Sequence, residues 1–256
     1  MGMLRLRWPI VNAGGVVRWT AAAAGGLAML FVGLGLGGAT AAGAAVAAPV
    51  PVRVVRAVPV PVKAVALTFD DGPSATYTPE VLSLLQQYAA KATFFVVGRE
   101  VVRHPQLIRQ EAQDGMEIGN HGFNHLTVRG LDPVAIQAEA KPVEQEITAI
   151  TGNRPTLYRL PRGQGDPRSL RALADMGYTV VAWNIDTMDY LRRTPQAIAQ
   201  QVETQVRPGS IVIFHDGGGN RSSTVAALRL LLPVLRQRGY RMVTVSQLLE
   251  LASPAG

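Results

Sequence analysis

From Ala64 onward, short apolar runs alternate with stretches of helical period, a strand-then-helix rhythm that continues to Leu251. The apolar runs predict strands over 64–69, 92–97, 117–118, 179–183, 210–214 and 241–245. The helical patterns predict helices over 79–88, 105–114, 133–151, 167–176, 195–206, 224–238 and 245–251. Five of these open on proline, where a missing amide donor costs nothing in the first turn. Gly115, Gly152, Gly177 and Gly239 sit just beyond helical patterns, as C-terminal caps do. Alternation of this kind means a parallel sheet or barrel with its catalytic groups at the carboxyl ends of strands. Periodicity alone does not separate a barrel from an open doubly wound sheet.

Ahead of that rhythm the pattern changes. Residues 20–52 carry no charge, are dominated by Ala, Gly, Leu and Val, and follow a basic segment ending at Arg18. Residues 1–48 therefore read as an export signal or a membrane anchor. Ala45-Val46-Ala47 before Ala48-Pro49 resembles a small-residue cleavage site, while the apolar length would also span a bilayer. The glycine content weakens a spanning helix and favours cleavage; either route leaves the remainder outside the cytoplasm. Residues 49–63 repeat a Pro-Val pattern, which predicts an extended linker or an edge strand over 52–58. A single domain over 64–256 follows, large enough for a substantial core.

The formal charge of +7 suggests nucleic acid until it is located. Arg5, Arg7, Arg18, Arg53, Arg56 and Lys63 precede the first acid, and the other 19 basic residues face 18 acids. The domain is nearly neutral, so no nucleic acid partner is expected. Cysteine is absent, which is compatible with an oxidising compartment.

The chemistry begins at Thr68-Phe69-Asp70-Asp71-Gly72, where two adjacent carboxylates follow an apolar run. Adjacent acids repel, and a bound cation turns that repulsion into ligand attraction. His121 and His125, in an H-x-x-x-H spacing, let two imidazoles converge on one ion. Two His and one Asp leave a coordination position open, as in catalytic rather than structural sites.

These segments, together with Arg159-Leu160-Pro161-Arg162-Gly163, Asp186-Thr187-Met188-Asp189-Tyr190 and Ile213-Phe214-His215, fall in the order and rough spacing of five motifs. The set resembles the polysaccharide deacetylases, the NodB-homology domains of carbohydrate esterase family 4, from about Ala64 to about Leu251. The resemblance implies a distorted (β/α) barrel with fewer than eight regular repeats. It implies a hydrolase that removes N-acetyl groups from N-acetylglucosamine-containing polysaccharide such as peptidoglycan or chitin-like chains. The alternatives are an O-acetyl xylan esterase, which uses the same site on an ester, and a noncatalytic glycan-binding wall module.

By the motif match, Asp71, His121 and His125 are ligands of one divalent ion, zinc first, with cobalt or nickel as alternatives. Asp70 is the general base that takes the proton of the attacking water, and His215 the general acid that protonates the departing nitrogen. Arg159 supports the base and Asp189 orients the acid. Asp186, which opens the same motif as Asp189, either joins the site or caps its loop. Gly122 replaces the usual hydroxyl residue after the first histidine, with Asn124 as a substitute hydrogen-bonder. Arg162 replaces an aromatic at a segment whose backbone amide serves as oxyanion donor. Tyr190 stands where Trp is usual and keeps an aromatic face for sugar. Ile213 lines the acetyl methyl pocket or packs in the core. Trp183 and Phe214 read as core, His104 as a surface or capping residue, and Gly217-Gly218-Gly219 as a flexible loop with Arg221 reaching the rim. An acetylated polysaccharide is the expected partner, a membrane only through the N-terminal segment, and the domain is expected to be a monomer.

Overall fold

A computed structural model describes residue 52 and residues 54–252. The 1–48 segment expected to be a signal or anchor lies outside the described residues. Among the described residues no helix is long and apolar enough to cross a membrane.

Strand β1 (Ala64–Asp70) is buried along its whole length and takes neighbours on both sides. Around it lie β2 (Thr93–Val96), β3 (Glu117–Asn120), β4 (Leu157–Tyr158), β5 (Thr179–Val180), β6 (Ile185–Asp186), β7 (Ser210–His215) and β8 (Arg241–Val243). Seven of them follow the path β5-β4-β3-β2-β1-β7-β6, every pair parallel, and β8 joins β1 off that path. β8 takes Ala64–Ala66 and β2 takes Thr68–Asp70, so the sheet forks along one strand. This is the distorted (β/α) barrel with fewer than eight regular repeats that the motifs implied.

Helices α1 (Tyr77–Gln87), α2 (Gly98–Arg103), α3 (Pro105–Gln113), α4 (Pro133–Thr151), α5 (Pro167–Asp175), α6 (Pro195–Gln205), α7 (Ser222–Gln237) and α8 (Val245–Glu250) connect the strands. Proline opens α3 to α6, and three of these four are capped by a side chain: Asp132 for Ala135 N–H, Asp166 for Ser169 N–H and Thr194 for Ala197 N–H. The helix expected from Pro79 begins two residues earlier, at Tyr77. Helix α2 and the two-residue strands β4 and β6 have no counterpart in the apolar pattern, because they are too short for a period to repeat.

Side chains alternate along β1 with the period of two that a strand imposes. Val65, Leu67 and Phe69 join the core under the helices, where Phe69 stacks on Phe94 at 5.0 Å and on Phe214 at 5.6 Å. Ala64 and Ala66 face the other way, into a cluster with Phe95, Leu157, Val181 and Ile211. Thr68 and Asp70 share that inner face by the same alternation. Small residues at Ala64 and Ala66 leave the interior room for a large side chain beneath the site.

The stretch weighed as linker or edge strand bridges to the sheet within its described part. Val55 N–H donates to Val180 O at 2.9 Å, Ala182 N–H donates to Val55 O at 2.7 Å, and Ala57 bridges Ser210. Val55 and Val58 are buried.

Candidate active site

Strand register assembles the site. In the β1–β7 pairing Phe69 lies opposite Phe214 and Asp70 opposite His215, so the base and acid candidates end neighbouring strands at the same level. His121 follows the last residue of β3, Arg159 follows β4, and Asp186 ends β6. Asp70, Asp71, His121, His125, Arg162, Trp183, Asp186, Tyr190, Ile213 and His215 line one cavity of about 270 Å³. Arg159 and Asp189 lie behind it, both buried.

Asp71, His121 and His125 present ligand atoms that all lie within 4.8 Å of one another. His121 Nδ1 lies 2.8 Å from the Arg159 carbonyl, which can only accept, so Nδ1 carries the hydrogen and Nε2 offers its lone pair to the cavity. Asp71 Oδ1 stands 3.2 Å from His125 Nε2 and 3.6 Å from His121 Nε2, and it is buried without a hydrogen-bond partner. An orphaned carboxylate oxygen facing two imidazole nitrogens fits a divalent cation. Burial, and then the neighbouring His121, hold the His125 pKa below the ordinary histidine value, which favours the neutral form a ligand needs.

Asp70 and Arg159 form an ion pair in the barrel interior, with Nη1 donating to Oδ1 at 2.7 Å and both side chains almost fully buried. Arg159 fills the space left by the small inner-face residues. Its guanidinium stacks 4.0 Å over Phe95 and donates to Thr68 Oγ1, Val181 O and Ala182 O. With Oδ1 engaged, the second oxygen of Asp70 is left to the cavity, 3.7 Å from His121 Nε2.

His215 is held from behind. Its Nδ1 donates to Asp189 Oδ1 at 2.7 Å, while Asp189 Oδ2 accepts from His215 N–H at 2.9 Å and from Thr224 Oγ1 at 2.7 Å. Burial pulls the imidazole pKa down. The Asp189 hydrogen bond and charge, with Asp70 and Asp71 beyond, more than offset it, so the net direction is up. Asp189 moves the opposite way: burial raises it, but His215 and Thr224 bring it below the ordinary carboxylate value. A cation at Asp71 would cancel part of the Asp70 and Asp71 contribution and leave Asp189 as the main support. Asp189→Asn is therefore expected to lower the His215 pKa, so that the alkaline limb of the kcat/KM profile moves to lower pH. An unmoved limb would mean that Asp189 does not set the proton affinity of His215.

Residues expected at the rim stand as follows. The ring of Tyr190, 48 % exposed, meets His215 edge-on at 5.5 Å. Arg162 is exposed with φ 59°, and its backbone N–H donates to no acceptor among the described residues, as an oxyanion donor requires. Ile213 both packs in the core and lines the cavity. Asp186 likewise does both things weighed for it: it lines the cavity and accepts from Met188 N–H at 2.9 Å. Trp183, expected in the core, packs against it half-buried and, beyond the end of β5 at Val180, also forms cavity wall. Phe214 is core, and His104 sits at the start of α3 outside the cavity lining.

The glycine run read as a flexible loop is packed against Asp71. A β-carbon on Gly218, whose φ is +69°, would come within 2.6 Å of Asp71 Oδ2. Sequence reasoning also missed the groups that hold the histidine loop. Asn124, expected to replace a missing hydroxyl, binds Glu139 through its backbone and side-chain nitrogens at 2.9 and 2.8 Å, and Asn120 Oδ1 accepts from Gly122 N–H. Glu139 occupies the buried face of α4 with Ile136, Ala140 and Val143, and an acid on an apolar stripe was the available signal. Asp216 was missed as well: burial pushes its carboxyl up to about 7, and Thr78 Oγ1 donates to it.

The profile of the polysaccharide deacetylase family matches residues 57–181. A peptidoglycan-N-acetylglucosamine deacetylase of Bacillus cereus is 41 % identical over 198 residues, covering 73 % of this chain and 89 % of its own. The chain belongs to the polysaccharide deacetylase family. A chitooligosaccharide deacetylase of a Bradyrhizobium species is 34 % identical over 198 residues, covering 73 % of this chain and 90 % of its own. The crystal structure of the Bc1960 peptidoglycan N-acetylglucosamine deacetylase superposes with a TM-score of 0.74 at 29 % identity, covering 77 % of this chain and 92 % of that one. This chain is an amide-hydrolysing polysaccharide deacetylase of a metal-dependent family, and its Asp71, His121 and His125 form a group that could hold such an ion.

Proposed function

We propose that this polysaccharide deacetylase is a zinc enzyme, working outside the cytoplasm as a monomer, that removes N-acetyl groups from an N-acetylglucosamine-containing wall glycan. Residues 1–48 would export it, by cleavage or as an anchor, and the relatives named for peptidoglycan and chitooligosaccharide supply the substrate class. A zinc ion held by Asp71, His121 and His125 would polarise the acetyl carbonyl and acidify water.

The observation that carries the reading is the Asp189-buttressed His215 opposite Asp70. Hydrolysis of an amide needs one group that takes a proton from water and another that gives one to nitrogen. Asp70 receives the proton on the oxygen that Arg159 leaves unengaged. Because Nδ1 is tied to Asp189, His215 gives its proton from Nε2, toward the cavity. The Arg162 backbone N–H, unpaired at the cavity lining, would donate to the carbonyl oxygen as negative charge develops there. Tyr190, Trp183 and Ile213 exclude water and offer apolar surface to the sugar and the acetyl methyl.

Acetate release from a panel of acetylated glycans tests this function. N-acetylglucosamine polymers are expected to be the better substrates. A strict preference for acetylated xylan would make the protein an esterase, and acetate from no glycan at all would leave only a binding module.

A further inference from the structure

A second cavity of about 630 Å³ adjoins the catalytic one and shares Tyr190 with it. Its lining includes Arg192, Arg221 and the first residues of α7, Ser222 and Ser223. The one acid that reaches it is Asp189, whose two oxygens are already engaged by His215 and Thr224. Arg221 is only 7 % exposed, yet it makes a single hydrogen bond, from Nε to Gly217 O at 2.6 Å. Neither Arg221 nor Arg192 is in an ion pair among the described residues. The terminal nitrogens of Arg221 make no hydrogen bond among the described residues and form a fork, open to the cleft, that suits a carboxylate. Helix α7, 16 residues long, points its positive end at the same space, and Ser223 N–H has no acceptor among the described residues.

We propose that this cleft binds a carboxylate carried by the glycan itself, on the sugar next to the one that is deacetylated. The proposal rests on the deacetylase reading and sharpens it. A neutral chitin-like chain offers the two arginines only neutral oxygen acceptors, whereas a glycan bearing lactyl, peptidyl or uronate carboxylates offers a charged partner and a charge-assisted hydrogen bond. Tyr190 would then stand between the subsites, with one face toward His215 and the other side toward the bound carboxylate.

The test compares two N-acetylglucosamine oligomers of equal length, one neutral and one carrying an ether-linked carboxylate on alternate sugars. Their kcat/KM for acetate release is measured with the native protein, Arg192→Ala and Arg221→Ala. Their affinity for Asp70→Asn protein is measured by calorimetry, which reads the cleft apart from turnover. The carboxylated oligomer is expected to be favoured about 10–100-fold, the size of a charge-assisted hydrogen bond, with the gain in KM rather than kcat. Each arginine variant should shrink the preference, and added salt should weaken it. Arg192 is exposed, so its variant guards against the folding defect that loss of buried Arg221 could bring. Equal affinities for the two oligomers, or a preference that survives both variants, would overturn the proposal. Binding of inorganic phosphate together with equal oligomer affinities would also overturn it, leaving an inorganic-anion site only. Acetate from neither oligomer with the affinity preference intact would instead fail the deacetylase reading and keep the subsite.

Discussion

His215→Ala is expected to cut N-deacetylation by about 10²–10⁴-fold while costing much less on a matched O-acetylated sugar. An alkoxide released from an ester takes its proton from water with modest help, whereas an amide nitrogen must be protonated to leave. The geometry assigns that proton to His215 Nε2, because Nδ1 is committed to Asp189 at 2.7 Å. Asp70→Asn should damage both reactions by a similar factor, since both consume a water made nucleophilic. Neither residue belongs to the ligand group, so both variants should retain metal. Steady-state rates on the paired substrates check this. Small, equal losses for His215→Ala would make the histidine structural and put the acid elsewhere.

Arg159→Leu should be the most damaging change to the fold among the site residues, at about 3–5 kcal/mol, because it strands Asp70 as a buried charge without its partner. Activity should fall with it. The Arg159 guanidinium holds Asp70 Oδ1 at 2.7 Å, so its loss frees the carboxylate from the position in which its other oxygen faces the cavity. Arg159→Lys keeps the charge but not the fork that reaches Thr68, Val181 and Ala182, so it should rescue only in part. Breaking the exposed Arg171–Asp175 pair should cost within about 0.5 kcal/mol. Denaturant midpoints of the three variants read these differences, and an Arg159→Leu protein as stable as the surface control would contradict the assigned role.

The residues that touch the cavity were legible because the chemistry concentrates in short segments at strand ends. Asp70-Asp71 and His215 each follow an apolar run, and His121 and His125 stand in an H-x-x-x-H spacing, patterns that survive without any knowledge of packing. What the sequence hid depends on contacts between distant segments. Trp183 reads as core and does pack against it, but beyond the end of β5 it is also cavity wall. Gly217-Gly218-Gly219 looks like slack chain until Gly218 is seen to lie against Asp71. Glu139 and Asp216 carry their roles through partners 15 and 138 residues away, at separations that no local pattern encodes. The two-residue strands β4 and β6 fail for a related reason: pairing to their neighbours, rather than a period of their own, makes them strands.

Metal content and acetate release, measured on the same samples of native protein and of the His121→Ala, His125→Ala double variant, bear most directly on the central claim. The site predicts one divalent ion per native domain, with acetate released from an N-acetylglucosamine polymer, and both lost together in the double variant. Stoichiometric metal in the double variant, or acetate release that persists after its metal is gone, would contradict the account.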